Sequence, residues 1–186
     1  NASYTLGIPP SCYSPSSPES ILHRYSDPDI VCVLCVSSYD YHYLTTLCGL
    51  APSKVHLISN FIEPYVQPLG TKSNLITYMP RKNYHFQQCF LAFFRFHGFH
   101  NTFRLKALHN IEHSQVVSSL QESICFLNFG HPEGFGLPVA EAIACGNCVV
   151  GFNGHGIYDI YKLVHQYHTF FPAPFDDHIS FFLAFS

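Results

Sequence analysis

The stretch that most constrains this chain is 131–146, HPEGFGLPVAEAIACG, where a glycine-rich turn runs into a short apolar segment. Pro138 suits a first helical turn, where a missing N–H costs nothing, and Gly146 suits a helix stop. The pattern predicts a helix over 138–145. The turn before it offers N–H groups without intrahelical partners and the positive end of a helix dipole, which together form a site for a phosphate or diphosphate. Gly134 and Gly136 let backbone approach such a ligand closely.

Two carboxylates, Glu133 and Glu141, flank that turn. Negative charge beside a phosphate is unfavourable unless each carboxylate holds something else, and sugar hydroxyls are suited to the task. A vicinal diol donates two hydrogen bonds to one carboxylate, each worth about 1.5–3 kcal/mol. A nucleotide sugar has this layout, with a ribose and a second polyol on either side of one diphosphate. The plainer alternative is that Glu141 complements the helix N-terminus and Glu133 is a solvated loop charge.

On these residues the chain resembles the retaining glycosyltransferases of family 4, which have the two-Rossmann-domain GT-B fold. Glu133 and Glu141 match the family's E-x7-E signature within EGFGLPVAEAIACG, and a looser likeness extends over 31–176. The resemblance implies that Glu133 contacts the donor sugar as the catalytic residue and that Glu141 holds the ribose. It gives the diphosphate to the backbone around Gly134, Phe135, Gly136 and Leu137. The implied reaction is hexosyl transfer, with retention, from a nucleotide-diphosphate sugar to a glycan, lipid or small-molecule acceptor. No metal or other cofactor is obligatory for it.

Upstream, residues 74–79 (NLITYM) read as a strand that ends at Pro80, Arg81 and Lys82, followed by a helix over 85–96. Two cations at the C-terminal end of a strand are placed to hold a diphosphate, because ligands of open α/β sheets bind there. The resemblance puts an arginine here and a lysine a few residues later. Here the two are adjacent, and they read equally well as solvated turn charges. A strand over 103–108, a helix over 114–123 capped by Ser114, and strands over 124–128 and 148–152 continue the alternation. This predicts an α/β fold, a Rossmann-like parallel sheet with helices on both faces. The resemblance assigns the nucleobase to backbone over 109–111. It also expects a glycine-rich loop ending in an acid, where this chain has Gly154, His155, Gly156, Ile157, Tyr158 and Asp159, with Ile157 in place of a second glycine. Residues 171–175 (FPAPF) with Asp176 and Asp177 read as the lead into a further helix.

At about 100–200 residues per domain, 186 residues are short of two full Rossmann-like domains. The expected division is a remnant of an N-terminal acceptor domain over 1–60, a linker over 61–70, and a nucleotide-sugar donor domain, truncated at its end, over 71–186. The first part reads as a strand over 29–37, a helix over 39–48 and a strand over 54–58, after a Ser/Pro-rich surface loop at 11–20. A fragment, a naturally shortened protein, or half of a two-chain enzyme would each look like this. The alternative function is therefore a non-catalytic nucleotide-sugar binding module, or a subunit completed by a second polypeptide or by copies of itself.

The chain is 47% apolar and only 11% charged, which predicts a largely buried fold with a sparsely charged surface. A net charge of −3 without a basic run leaves no electrostatic footprint for nucleic acid. No stretch of about twenty apolar residues suits a transmembrane helix, and no leader pattern opens the chain. The expectation is a cytoplasmic protein, with peripheral attachment to a membrane left open. Among eight cysteines, Cys32/Cys35 sit in an apolar strand where odd separation sends side chains to opposite faces, and Cys145/Cys148 straddle a helix stop. Buried thiols are expected rather than a zinc site shared by all four. Finally, HNIEH at 109–113 has the spacing of inverted zinc peptidases, with His109 and His113 as ligands and Glu112 as general base. That chemistry needs a helix, and the segment lies between a predicted strand and a predicted helix, so a zinc hydrolase is the minor alternative.

Overall fold

The computed structural model describes residues 23–25, 27–167 and 169–173, with Ser180 and Phe185. Two parallel sheets organise them. In the smaller, β1 (Val33–Cys35) pairs with β2 (Val55–Leu57), Val33 opposite Val55. Between them α1 (Ser38–His42) runs directly into a π-helical turn, Tyr43–Leu47. Ser37 caps α1, its hydroxyl accepting from the Asp40 N–H at 3.2 Å. β1 is shorter than the strand expected over 29–37: an Asx turn, in which the Asp27 carboxylate accepts from the Asp29 N–H at 2.9 Å, occupies the start of that stretch, and Ser37 at its end caps α1.

The larger sheet contains β3 (Ser73–Tyr78), β4 (Arg104–Ala107), β5 (Ser123–Asn128), β6 (Cys148–Phe152) and β7 (Phe170–Ala173). Its order is β4-β3-β5-β6-β7, all parallel. Alternate side chains of a strand face opposite ways, and β5 uses both directions. Phe126 packs among α3 (His113–Glu122), α4 (Leu137–Ala144) and α5 (Ile157–Val164), with Val117, Leu120, Val139 and Ile160. Leu127 and Phe129 face α2 (Tyr84–Phe96), whose Phe86, Phe90 and Phe94 lie four residues apart on one stripe. The chain thus has the predicted α/β architecture, a parallel sheet with helices on both faces.

Two local readings are corrected. The cap of α3 is Glu112, not Ser114: the Glu112 N–H donates to Gln115 Oε1 at 3.1 Å in a capping box, so the helix begins one residue earlier. Residues 170–173 are a strand, pairing Val149 through Phe152 with Phe170 through Ala173, and Pro172 is tolerated because β7 ends the strand order. The helix expected after Asp177 falls outside the described residues, apart from Ser180 and Phe185, both helical. The Ser/Pro-rich stretch at 11–20 lies outside them too. Among the described residues, no helix is long and apolar enough to cross a membrane.

At the N-terminal edge of the larger sheet a polar network closes two helix ends. Asn147 Nδ2 donates to the Leu120 and Ala142 carbonyls at 2.7 and 3.0 Å, and Ser123 donates to Asn147 Oδ1 at 2.5 Å. Lys72 Nζ donates to Leu120 O at 3.0 Å and Cys145 O at 2.6 Å, placing a cation at the negative ends of α3 and α4. Burial holds the Lys72 ammonium below its ordinary pKa. Lys72→Met keeps the stem but removes both bonds, and should lower stability by about 1.5–3 kcal/mol, read as a fall in the urea midpoint at unchanged slope.

The small sheet holds an opposite case. Asp40 is 2% exposed, and neither carboxyl oxygen reaches a hydrogen-bond partner. Burial pushes its pKa up to about 7, and the nearby Asp159 adds to the rise. The folded state therefore holds a proton that the unfolded chain releases near 3.8. The resulting contribution to stability is complete below that value and is lost as pH rises to about 7. Asp40→Asn should remove this decline, measured as urea midpoints across the interval.

Candidate functional site

Strand order determines where a ligand can sit. From β3 the chain crosses one way to β4, and from β5 the other way to β6, so a crevice opens beyond the C-terminal ends of β3 and β5. Met79 and Arg81 line it from β3, Asn128, Gly130 and Glu133 from β5, and Gly136, Pro138 and Val139 from the start of α4. Pro138 stands in the first turn of that helix, as the sequence predicts, and Gly136 is its left-handed N-cap at φ 89°.

Arg81, Lys82 and Glu133 meet in this crevice. Glu133 Oε1 lies 2.7 Å from Arg81 Nη2 and 3.0 Å from Lys82 Nζ, and its side chain is only 12% exposed. Lys82, next to Arg81 in the chain where the resemblance expects a later lysine, also donates to the Pro132 carbonyl. Asn83, left-handed at φ 54°, donates to Phe129 O at 2.7 Å and His131 O at 3.3 Å, tying the turn after β3 to the turn after β5. Gly130 makes room for the carboxylate: a Cβ there would lie 2.6 Å from Glu133 Oε1 and 2.9 Å from Asn128 Oδ1. Asn128 in turn donates to Phe152 O at 2.7 Å and accepts from the Gly130 N–H at 3.1 Å.

Glu141 is held elsewhere. Its Oε1 lies 2.8 Å from His113 Nε2, and His113 Nδ1 is 3.0 Å from the Tyr65 hydroxyl. Tyr65 belongs to the irregular segment after β2, which crosses α3 where Gln121 donates to the carbonyls of Tyr65 and Gln67 at 3.2 and 3.1 Å. Sequence reasoning missed this pairing, although His113 was in view within HNIEH. That pentapeptide is a connection up to His113, so His109 and His113 share no helical face and Glu112 serves as a helix cap. Among the described residues, no three His, Cys, Asp or Glu side chains group as metal ligands. The cysteines described are free thiols, with Cys35, Cys125 and Cys145 buried.

His131 lies at the head of the Glu133 turn. Its ring meets His155 edge-on at 4.9 Å, and Tyr39 stacks on the other ring of that pair at 4.2 Å. Burial lowers the His131 pKa to about 4, with His155 and then Lys82 adding to the fall, so the ring is neutral at physiological pH.

No family model and no curated protein matches this chain. Its fold is shared with solved glycosyltransferases. A glycosyltransferase from Rickettsia africae superposes with a TM-score of 0.63 at 13% identity, covering 92% of this chain and 56% of that one. A mutant of S. aureus TarM, in complex with fondaparinux, alpha-GlcNAc-glycerol and UDP, gives 0.54 at 15% identity, over 76% and 33%. The pneumococcal O-GlcNAc transferase GtfA, in complex with UDP and GlcNAc, gives 0.53 at 14%, over 71% and 32%. The chain therefore spans little more than half the length of the first and about a third of the other two.

The lowered pKa of His131 has a definite sign. Between 4 and 6.5 the unfolded chain binds a proton that the folded ring refuses, so this contribution to stability is lost as pH falls through that interval. It runs against the Asp40 slope. Burial lowers the His155 pKa in the same direction, so His131→Gln should make the urea midpoint fall more steeply than the parent's as pH rises from 4 to 6.5, with the His155 contribution still opposing Asp40.

Proposed function

We propose that this chain is the donor-binding part of a glycosyltransferase and takes a nucleotide-diphosphate sugar at the crevice beyond β3 and β5. The observation that carries the reading is the meeting of Arg81, Lys82 and Glu133 in that crevice, beside the N-terminus of α4. In an open α/β sheet this is where ligands bind, and the local charge suits a diphosphate flanked by hydroxyls. The fold shared with solved glycosyltransferases supports it.

In this reading the diphosphate competes with Glu133 for the two cations. Arg81 and Lys82 turn toward phosphate oxygens, amides around Gly134, Phe135, Gly136 and Leu137 complete the anion site, and the freed carboxylate accepts from sugar hydroxyls. As the bond to the sugar breaks, negative charge grows on the departing diphosphate. Fixed cations and an aligned helix end stabilise it more in the transition state than before it. Glu133, close to the anomeric carbon, favours the positive charge that develops there, and transfer with retention follows from the resemblance to family 4. Glu141 exchanges His113 for the ribose diol. The division into an acceptor-side remnant over 1–60, a linker over 61–70 and a donor domain over 71–186 belongs to the same proposal.

Calorimetry with UDP, GDP, ADP and dTDP tests the reading. One of the four should bind saturably. If UDP, GDP or ADP binds, losing the ribose diol contact in Glu141→Ala should weaken it roughly ten- to a hundredfold, the equivalent of about 1.5–3 kcal/mol, whereas dTDP, which lacks the 2′-hydroxyl, should lose less. Arg81→Ala combined with Lys82→Ala should cost at least as much. Silence toward all four nucleotides would sink the proposal, whereas binding without hydrolysis or transfer of the matching nucleotide sugar would favour a binding module that needs a partner.

A further inference from the structure

We infer that Tyr39 on α1 and Asp159 on α5 are positioning residues for Glu133, acting through the loop at Gly154, His155 and Gly156. The inference rests on the reading of Glu133 as the sugar-contacting carboxylate and adds what holds it in place. The first link joins the small sheet to the large one. Asp159 Oδ2 accepts from the Ser38 N–H at 2.6 Å, and its other oxygen accepts from the Ser38 hydroxyl. Ser38 opens α1, so the carboxylate satisfies a donor that the helix itself leaves unpaired.

The second link is a column of rings. Tyr39, next along α1, stacks on His155 with centroids 4.2 Å apart and planes 18° from parallel. His155 meets His131 edge-on, two residues before Glu133. The third link is backbone against backbone. The Gly156 N–H donates to Glu133 O at 3.0 Å. A Cβ on Gly156 would fall 1.5 Å from Gly134 O and 3.0 Å from Ser37 Cβ, so this glycine is pressed between the Glu133 turn and the cap of α1. Ile157, fully buried, fills the space under Gly136, where an added Cβ would lie 2.4 Å from its Cγ1. That accounts for an isoleucine where the resemblance expects glycine.

Glu133 is therefore fixed at both ends. Its carboxylate is held by Arg81 and Lys82, and its peptide by Gly156, which is backed by α1. Loosening α1 from the loop lets the turn shift and misaligns the carboxylate for sugar hydroxyls, while cations and ribose contact stay where they are. The predicted signature is a split: nucleotide affinity survives and the affinity added by the sugar does not.

The test titrates the full chain with UDP and UDP-glucose, or the matching pair for whichever of the four nucleotides binds. It compares the parent with Asp159→Asn, Tyr39→Ala and the ring-preserving Tyr39→Phe, each checked by thermal unfolding. Asp159→Asn and Tyr39→Ala should bind the nucleotide within about twofold of the parent but lose most of the extra affinity due to the sugar, and Tyr39→Phe should retain it. Hydrogen exchange at the Gly156 amide should quicken in the first two variants and not in the third. If nucleotide binds and the sugar increment persists in Asp159→Asn and Tyr39→Ala, the positioning role is wrong and the functional reading stands. If the parent binds none of the four nucleotides, both fall together.

Discussion

The charge balance around Glu133 is the constraint on which the crevice depends. Arg81 and Lys82 are neighbours in sequence, and both stand near the positive end of α4. Without an anion among them, three positive groups would face each other at the edge of a low-dielectric sheet, where repulsion is weakly screened. Glu133 supplies that anion within 3.0 Å of both cations. A diphosphate would do the same for the cations and set the carboxylate free, so the two ion pairs that balance the crevice also prepare the exchange on which the proposed chemistry relies.

The network that closes the helix ends and the proposed ligand site occupy opposite ends of the strands. At the N-terminal edge, Lys72, Ser123 and Asn147 close α3 and α4 through carbonyls of Leu120, Ala142 and Cys145. At the C-terminal edge, by contrast, Gly130, Gly136 and Gly156 remove side chains so that carboxylate, backbone and loop can come together. The parallel arrangement makes this division possible, because every strand of the larger sheet ends at the same edge, where the crevice opens between β3 and β5.

What could be read from the sequence was what is local. Periodicity located 74–79, 85–96 and 148–152 within a residue or so, since each is a run whose apolar spacing matches one period. The cations and the turn could be placed together because each directly follows a strand, and the topology does the rest. Pro172 hid β7, since proline argues against a strand interior and only the final place in the strand order excuses it. Ser114 looked the better cap by residue type, but Gln115 reaches back to Glu112 and moves the start of α3. The pairing of Glu141 with His113, and that of Asp159 with Ser38 across 121 residues, left no local trace. Both are tertiary contacts, and three of the four residues, His113, Ser38 and Asp159, stand in the first turns of helices, where such side chains occur for purely local reasons as well.

The two glutamates also differ in what it takes to change partner. Glu133 faces two cations, one of them mostly buried, so releasing it without a replacement anion would strand charge inside the protein. The Glu141 carboxylate is 15% exposed and so needs a replacement partner too, but its partner His113 is 47% exposed and already bonded to Tyr65, so that side chain can turn to water on release. Exchange at Glu141 is therefore the easier step, and exchange at Glu133 requires the diphosphate to be present. On the proposed reading a sugar lacking the diphosphate cannot recruit Glu133, because nothing would replace the carboxylate beside Arg81 and Lys82. On that proposal, selectivity for an activated sugar over a free one would come from the pairing of Glu133 with Arg81 and Lys82.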